Sequence, residues 1–200
     1  MSWERIGASL RIPQRWPRPH FLYPLTPGSP RRAAVAVLLW GGPEGARKIV
    51  LVQRGFGAPR HPGELAFPGG MAETWDRDLP ATARRELAEE LGVHTGLWEL
   101  GCFPDGLAKA EIRFTPVFLR WEVPKPVFNL GEEILGVLLL PLEPLLRAPW
   151  YLETLTLRGQ ELRIPRLELP QAPLWGATAF ILKAWLDLLG SLAEPRAAQP

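Results

Sequence analysis

The run Ala33 to Trp40 reads Ala-Ala-Val-Ala-Val-Leu-Leu-Trp and offers water no polar side chain on either side of a strand. Side chains alternate across a strand, so a run of this kind belongs in a sheet that is buried on both faces. Gly41-Gly42-Pro43 ends it, and Lys48 to Arg54 is expected as a second strand closing a hairpin. Further strands are expected at Ile112 to Trp121, at Ile134 to Leu140, and as a hairpin of Leu152 to Leu157 with Glu161 to Ile164. Two segments carry helical periodicity. Pro80 to Leu91 has Asp78 as its cap, Pro80 near the first turn and Gly92 as its stop, while Leu174 to Leu189 repeats Ala177, Ile181, Trp185 and Leu188 at helical spacing. Strands and helices in this order predict an α/β fold with a mixed sheet between helices.

Composition narrows the class. A chain of 200 residues with 46% hydrophobic and 22% charged side chains is expected to form one domain able to bury a core without metal or disulfide staples. Cys102 is the only cysteine, and the stretch before Arg18 is broken by Glu4, Arg5, Arg11 and Arg15, so a cytoplasmic protein without an export signal is expected. Apolar runs such as Ile134 to Leu142 fall short of the roughly 18 residues a membrane span requires. A net charge of +2 with scattered basic residues argues against nucleic acid as the main partner. Residues 1–32 are expected as an N-terminal arm, whose proline-rich part Trp16 to Pro30 packs through Trp16, Phe21, Leu22 and Tyr23; residues 33–186 form the core and 190–200 a tail.

The helix at Pro80 to Leu91 also carries the chemistry. At 100° per residue, Pro80, Ala83, Leu87 and Leu91 form one apolar stripe with Glu86, Glu89 and Glu90 along its border. Glu86 and Glu90 are like charges four residues apart, which costs an isolated helix a few tenths of a kcal/mol. A hard divalent cation completed by substrate phosphates would compensate them. The alternative is a solvated acidic face neutralised by Arg84 and Arg85.

The surroundings favour the first reading. Phe67-Pro68-Gly69-Gly70, then Glu73 and Asp76, then Arg85-Glu86-Leu87-Ala88-Glu89-Glu90-Leu91-Gly92-Val93 resemble the Nudix box, G-x5-E-x7-R-E-U-x-E-E-x-G-U, where U is a bulky aliphatic residue. Arg85 to Val93 matches at every specified position, whereas Asp76 replaces the first glutamate and Gly70 lies one residue further from the arginine than in the general pattern. That spacing, with Glu73, Asp76, Thr82 and Ala83 in place, resembles the coenzyme A pyrophosphatase branch. So do Arg54, Gly63 and Phe67 to Gly70 upstream, although Gly55 and Val52 replace the branch's residues and Arg60 stands one position late. Glu133-Ile134, Leu140-Pro141-Leu142 and Leu174 to Ala179 continue the similarity downstream.

The resemblance implies a Nudix α/β/α sandwich and hydrolysis of a diphosphate linkage assisted by Mg²⁺ or Mn²⁺, in this branch of coenzyme A to 4′-phosphopantetheine and adenosine 3′,5′-bisphosphate. It implies Glu86 and Glu90 as metal ligands, with Glu89 sharing that task or acting as base, and Arg85 holding Glu89 or Asp76. Glu133 is a further ligand or base, or else a rim carboxylate beside Glu132. Gly69 and Gly70 are expected to turn the backbone tightly against metal or phosphate. Arg54, Arg60 and Phe67 complete the expected substrate contacts, with Arg60 and His61 each either a phosphate contact or part of a solvated loop. Two other functions remain open: hydrolysis of ADP-ribose or another nucleoside diphosphate derivative, and a Nudix-fold ligand-binding module without turnover, against which the intact carboxylates speak. Assembly is open between a monomer and a homodimer. Cys102 is expected to be a buried small side chain.

Overall fold

The computed structural model describes residues 1–11, 31–41, 45–56, 62–108, 112–157 and 160–192. The proline-rich segment from Trp16 to Pro30, together with Arg60 and His61, lies outside the described residues. The chain runs α1 (Trp3–Leu10), β1 (Arg31–Gly41), β2 (Arg47–Arg54), β3 (Leu65–Ala66), β4 (Gly69–Met71), α2 (Leu79–Leu91) and β5 (Leu97–Cys102). It continues through β6 (Gly106–Ala108), β7 (Ile112–Trp121), β8 (Ile134–Pro141), α3 (Leu142–Leu145), β9 (Tyr151–Leu157), β10 (Gln160–Arg166) and α4 (Gly176–Ser191).

The apolar strand β1 is the centre of a mixed sheet. One edge pairs in parallel with β7, from Arg31↔Ile112 to Trp40↔Trp121. Its other edge pairs antiparallel with β4 near its start and with β2 near its end, where Leu39↔Ile49 closes the expected hairpin. β8 and β3 flank β2, β5 and β6 flank β7, and β9 with β10 forms a separate two-stranded sheet.

Alternation along β1 supplies both layers, as a strand buried on two faces must. Ala34, Ala36, Leu38 and Trp40 join Ala83, Leu87 and Leu91 of α2 in one core cluster. Val37 and Leu39 join Ile6 of α1 and Trp185 of α4 in the other. The result is the α/β/α sandwich that the sequence predicts.

Three local expectations need correction. Residues 1–11 are not an arm: Ile6 is fully buried, Arg5 Nη2 donates to the Leu189 carbonyl at 2.9 Å, and Trp185 Nε1 donates to Ser9 Oγ at 3.0 Å. The last helix begins at Gly176, because Leu174 is held by reciprocal backbone bonds with Leu167; Ala177 is exposed and Ala179 takes the buried position. Cys102 is exposed near the end of β5; desolvation, and then the charges of Glu99 and Asp105, push its thiol up, which disfavours the reactive thiolate. No helix among the described residues is long and apolar enough to cross a membrane.

Candidate active site

The carboxylate arc is built by the ends of α2. Asp78 accepts the Ala81 amide at 2.7 Å, satisfying a donor that the first turn leaves free. At the other end Gly92 takes φ +68°, and its N–H reaches the Ala88 carbonyl at 3.0 Å. Between these stops Leu79, Ala83, Leu87 and Leu91 are buried against the sheet, which fixes the helix about its axis. Glu86 and Glu90 therefore project over β4, each with a carboxylate side chain only 13% exposed.

β4 is where Gly69 and Gly70 sit, and the tight turn expected there is a short strand paired with Ala34 and Val35. Gly69 has φ +155°, and a Cβ on it would lie 2.8 Å from the Val35 Cα. Its amide donates to Glu90 Oε2 at 3.2 Å. A Cβ on Gly70 would lie 2.6 Å from the Glu86 carboxyl carbon. The close backbone approach expected of these glycines is thus made to two carboxylates. Phe67, grouped with the substrate contacts by the sequence, is 5% exposed and packed in the core cluster beneath α4, so its ring is a packing group.

Two arginines bracket the pair. Arg85 bonds Asp76 through Nε and Nη2, donates Nη2 to the Met71 carbonyl at 2.8 Å, and places Nη1 2.8 Å from Glu86 and 2.9 Å from Glu89. Both carboxylates expected as its partners are engaged at once. Asp76 also accepts from Thr82 Oγ1 at 2.9 Å and from the Glu73 amide at 3.0 Å. The sequence places Thr82 in the branch's pattern without giving it a task; this anchoring of Asp76 is the contact that sequence reasoning missed. On the opposite side Arg54, at the end of β2, places Nη2 2.9 Å from Glu133 and Nη1 4.0 Å from Glu90. Glu133 lies just before β8, 58% exposed at its carboxylate, and its carbonyl accepts the Gly55 amide at 2.7 Å.

Electrostatics follow from this crowding. Burial, and then the Glu86 charge, push Glu90 up to about 7. Burial raises Glu86 as well, against the pull of Arg85. The hydrogen bond from Arg85 holds Asp76 below the usual carboxylate range. Five carboxylates meet two guanidiniums here, so negative charge is in excess where Glu86 and Glu90 face each other.

That excess suits a small divalent cation. Among the described residues no three carboxylate, imidazole or thiolate side chains converge on one point. Glu89, expected to share the metal or to act as base, pairs with Arg85 as Glu86 does, but its carboxylate is 58% exposed and stands at the rim. Glu86 and Glu90 remain, and two carboxylates with the rest of the shell left to water and phosphate oxygens is the donor set that Mg²⁺ ordinarily takes.

Comparison with known proteins places these observations. Residues 30–156, more than half of the chain, match the NUDIX domain. The chain is similar to "Nudix hydrolase 22, chloroplastic" of Arabidopsis thaliana, 34% identical over 102 residues, which are 50% of this chain and 33% of that one. It is 28% identical over 155 residues to an uncharacterized Nudix hydrolase, NudL, of Yersinia pestis, covering 76% of this chain and 77% of that protein. It thus spans about a third of the plant relative's length. The structure of a Nudix hydrolase from M. smegmatis, RenU, superposes with TM-score 0.55 at 15% identity, over 82% of this chain and 88% of the other, which is a likeness of fold.

Proposed function

The chain belongs to the NUDIX domain family, and from that membership and the neighbouring carboxylates of Glu86 and Glu90 we propose that it hydrolyses a diphosphate linkage in a nucleoside diphosphate derivative with a divalent cation. The observation that carries this reading is the placement of two poorly exposed carboxylates, each backed by glycine backbone, between Arg54 and Arg85. Mg²⁺ or Mn²⁺ held there would neutralise the diphosphate oxygens and make water a better nucleophile at neutral pH.

The chain's own groups divide the remaining work. Glu86 and Glu90 would hold the cation. Glu89, on the exposed edge of the same helix turn, accepts the proton that water gives up as it attacks phosphorus and the bridging P–O bond breaks. Arg85 positions Glu86 and Glu89 together, since one guanidinium bonds both. Arg54 orients Glu133 and presents cationic charge beside Glu90, at the diphosphate end of a bound substrate.

For the substrate we take coenzyme A, with 4′-phosphopantetheine and adenosine 3′,5′-bisphosphate as products. The support is the resemblance of the Arg54 to Gly70 segment and of the Gly70–Arg85 spacing to the coenzyme A pyrophosphatases. The test compares kcat/KM for coenzyme A, dephospho-coenzyme A and ADP-ribose with Mg²⁺ and with Mn²⁺. Coenzyme A is expected to lead, and excess EDTA to abolish turnover. Equal values for coenzyme A and ADP-ribose would remove the coenzyme A reading and leave the diphosphate one; inactivity on all three with either metal would remove both. Arg54→Ala should lower the specificity constant for all three alike, by about 10- to 100-fold, as expected for one charge-assisted phosphate contact.

A further inference from the structure

At the far end of the sheet from the carboxylates, a cleft of about 420 Å³ opens beside the indole of Trp3 in α1. Trp3 packs against Gly41, where a Cβ would fall 2.9 Å from the ring. Two guanidiniums stack against this one indole, Arg47 from β2 at 4.4 Å from the ring centroid and Arg120 from β7 at 4.6 Å. Stacking of this kind is favourable for each cation, yet it concentrates like charge. Arg120 is paired with Glu122, while Arg47 donates to the Gly45 carbonyl, a neutral acceptor. The Nε atoms of both arginines are buried without a hydrogen-bond partner among the described residues. Burial, and then the Arg47 charge, pull the Arg120 guanidinium below its usual range.

Among the described residues two partly desolvated guanidiniums share this cleft with one paired carboxylate, which leaves positive charge and N–H donors in excess there. An unmet donor in such a place carries its desolvation cost in full. A tetrahedral oxyanion offers acceptors in several directions and matches the planar donor fork of arginine. We propose that the cleft between Trp3, Arg47 and Arg120 is a second binding site, for a phosphate group, distinct from the site where the cation and diphosphate bind. From Val35, which pairs with Gly69, to Gly41 is six residues of β1, about 20 Å at the rise of a strand, so one phosphate group does not reach both places. Because Trp3 belongs to α1, an occupied cleft also fastens that helix to the ends of β2 and β7.

The test is calorimetric titration of residues 1–200 in EDTA with inorganic phosphate and with glycerol phosphate. Saturable binding in the micromolar to low millimolar range is expected. Arg47→Gln and Arg120→Gln should each weaken it by about 10-fold or more, as loss of a charge-assisted contact does, with the far-ultraviolet spectrum unchanged. Should Arg120→Gln unfold, Arg47→Gln and the charge-preserving Arg47→Lys carry the comparison, with Lys intermediate. Tighter binding of the ester assigns the site to a phosphoryl group of a larger molecule, and equal binding assigns it to the free oxyanion. Absence of saturable binding, or wild-type affinity in Arg47→Gln, would overturn the proposal. Hydrolysis by Arg47→Gln at the wild-type rate is expected once EDTA is replaced by excess Mg²⁺, since Arg47 touches none of the carboxylate cluster.

Discussion

Gly70 leaves empty the space that the Glu86 carboxyl group occupies: a Cβ at position 70 would lie 2.6 Å from the carboxyl carbon. A glycine in strand β4 and a glutamate on helix α2 are thus matched in shape across the layer boundary. The consequence is testable. Gly70→Ala must move Glu86 or β4, and β4 is fixed by its pairing with β1. Because the displaced atoms are the end of a flexible side chain, we expect a stability loss of about 1 kcal/mol or less, and at least a tenfold fall in turnover, read by thermal unfolding and steady-state kinetics. Wild-type turnover in Gly70→Ala would show that the position of Glu86 does not matter.

Glu90 gives the metal-free protein a distinctive response to pH. Its carboxyl is pushed up to about 7 in the folded state, above its ordinary 4.5, so the folded chain holds more protons than the unfolded one between those values. Stability then falls as pH rises from about 5 to 7.5, by roughly 3 kcal/mol at most for a shift of this size. Asp76 acts in the opposite sense and in a separate window, since its lowered value makes stability drop only as pH falls below the ordinary 3.8. In EDTA, Glu90→Gln should flatten the neutral slope and raise stability at pH 8, while cutting metal-dependent turnover by about 10²-fold. A slope unchanged in Glu90→Gln would assign it to another group.

Arg85 is the structural centre of the cluster as well as its positioning group. The Asp76 carboxylate is only 5% exposed, and Arg85→Ala would strip it of its cationic partner. Leaving a buried charge uncompensated costs about 3–5 kcal/mol, the lower end being expected here because Thr82 and the Glu73 amide still bond Asp76. Denaturant unfolding at pH 7 measures the loss. Arg85→Lys should recover part of the stability, but little of the activity, since an ammonium cannot reproduce the fork that spans Asp76, Glu86 and Glu89.

The N-terminal helix is part of the core. Ile6 is fully buried in the cluster that holds Trp185, and Ile6→Ala should cost about 2–5 kcal/mol with kcat nearly unchanged at low temperature. Deleting residues 1–11 should be worse, because it also removes the bonds from Arg5 to Leu189 and between Trp185 and Ser9. A truncated protein as stable as the full chain would contradict this packing.

Much of this protein was determined by local sequence. Strand β1 was legible because every residue from Ala33 to Trp40 is apolar, and α2 because Asp78 and Gly92 bound a helical stripe; both signals act within a few residues and need no partner. The carboxylates were legible for the same reason, since helical spacing alone brings Glu86 and Glu90 to one side. Tertiary structure decided the rest. Eight residues of α1, broken by charges, are too few to be helical on their own, and they hold through Ile6, Arg5 and Ser9 against α4, more than 160 residues away, and through Trp3 against Arg47 and Arg120. Gly69 and Gly70 read as a turn because glycine permits one, but pairing with β1 satisfies their backbone and makes them a strand. Likewise no spacing rule joins Arg54 to Glu133, or Arg47 to Arg120: the strands that carry them meet by sheet register, and register is fixed only when the apolar faces of the whole sheet are buried together.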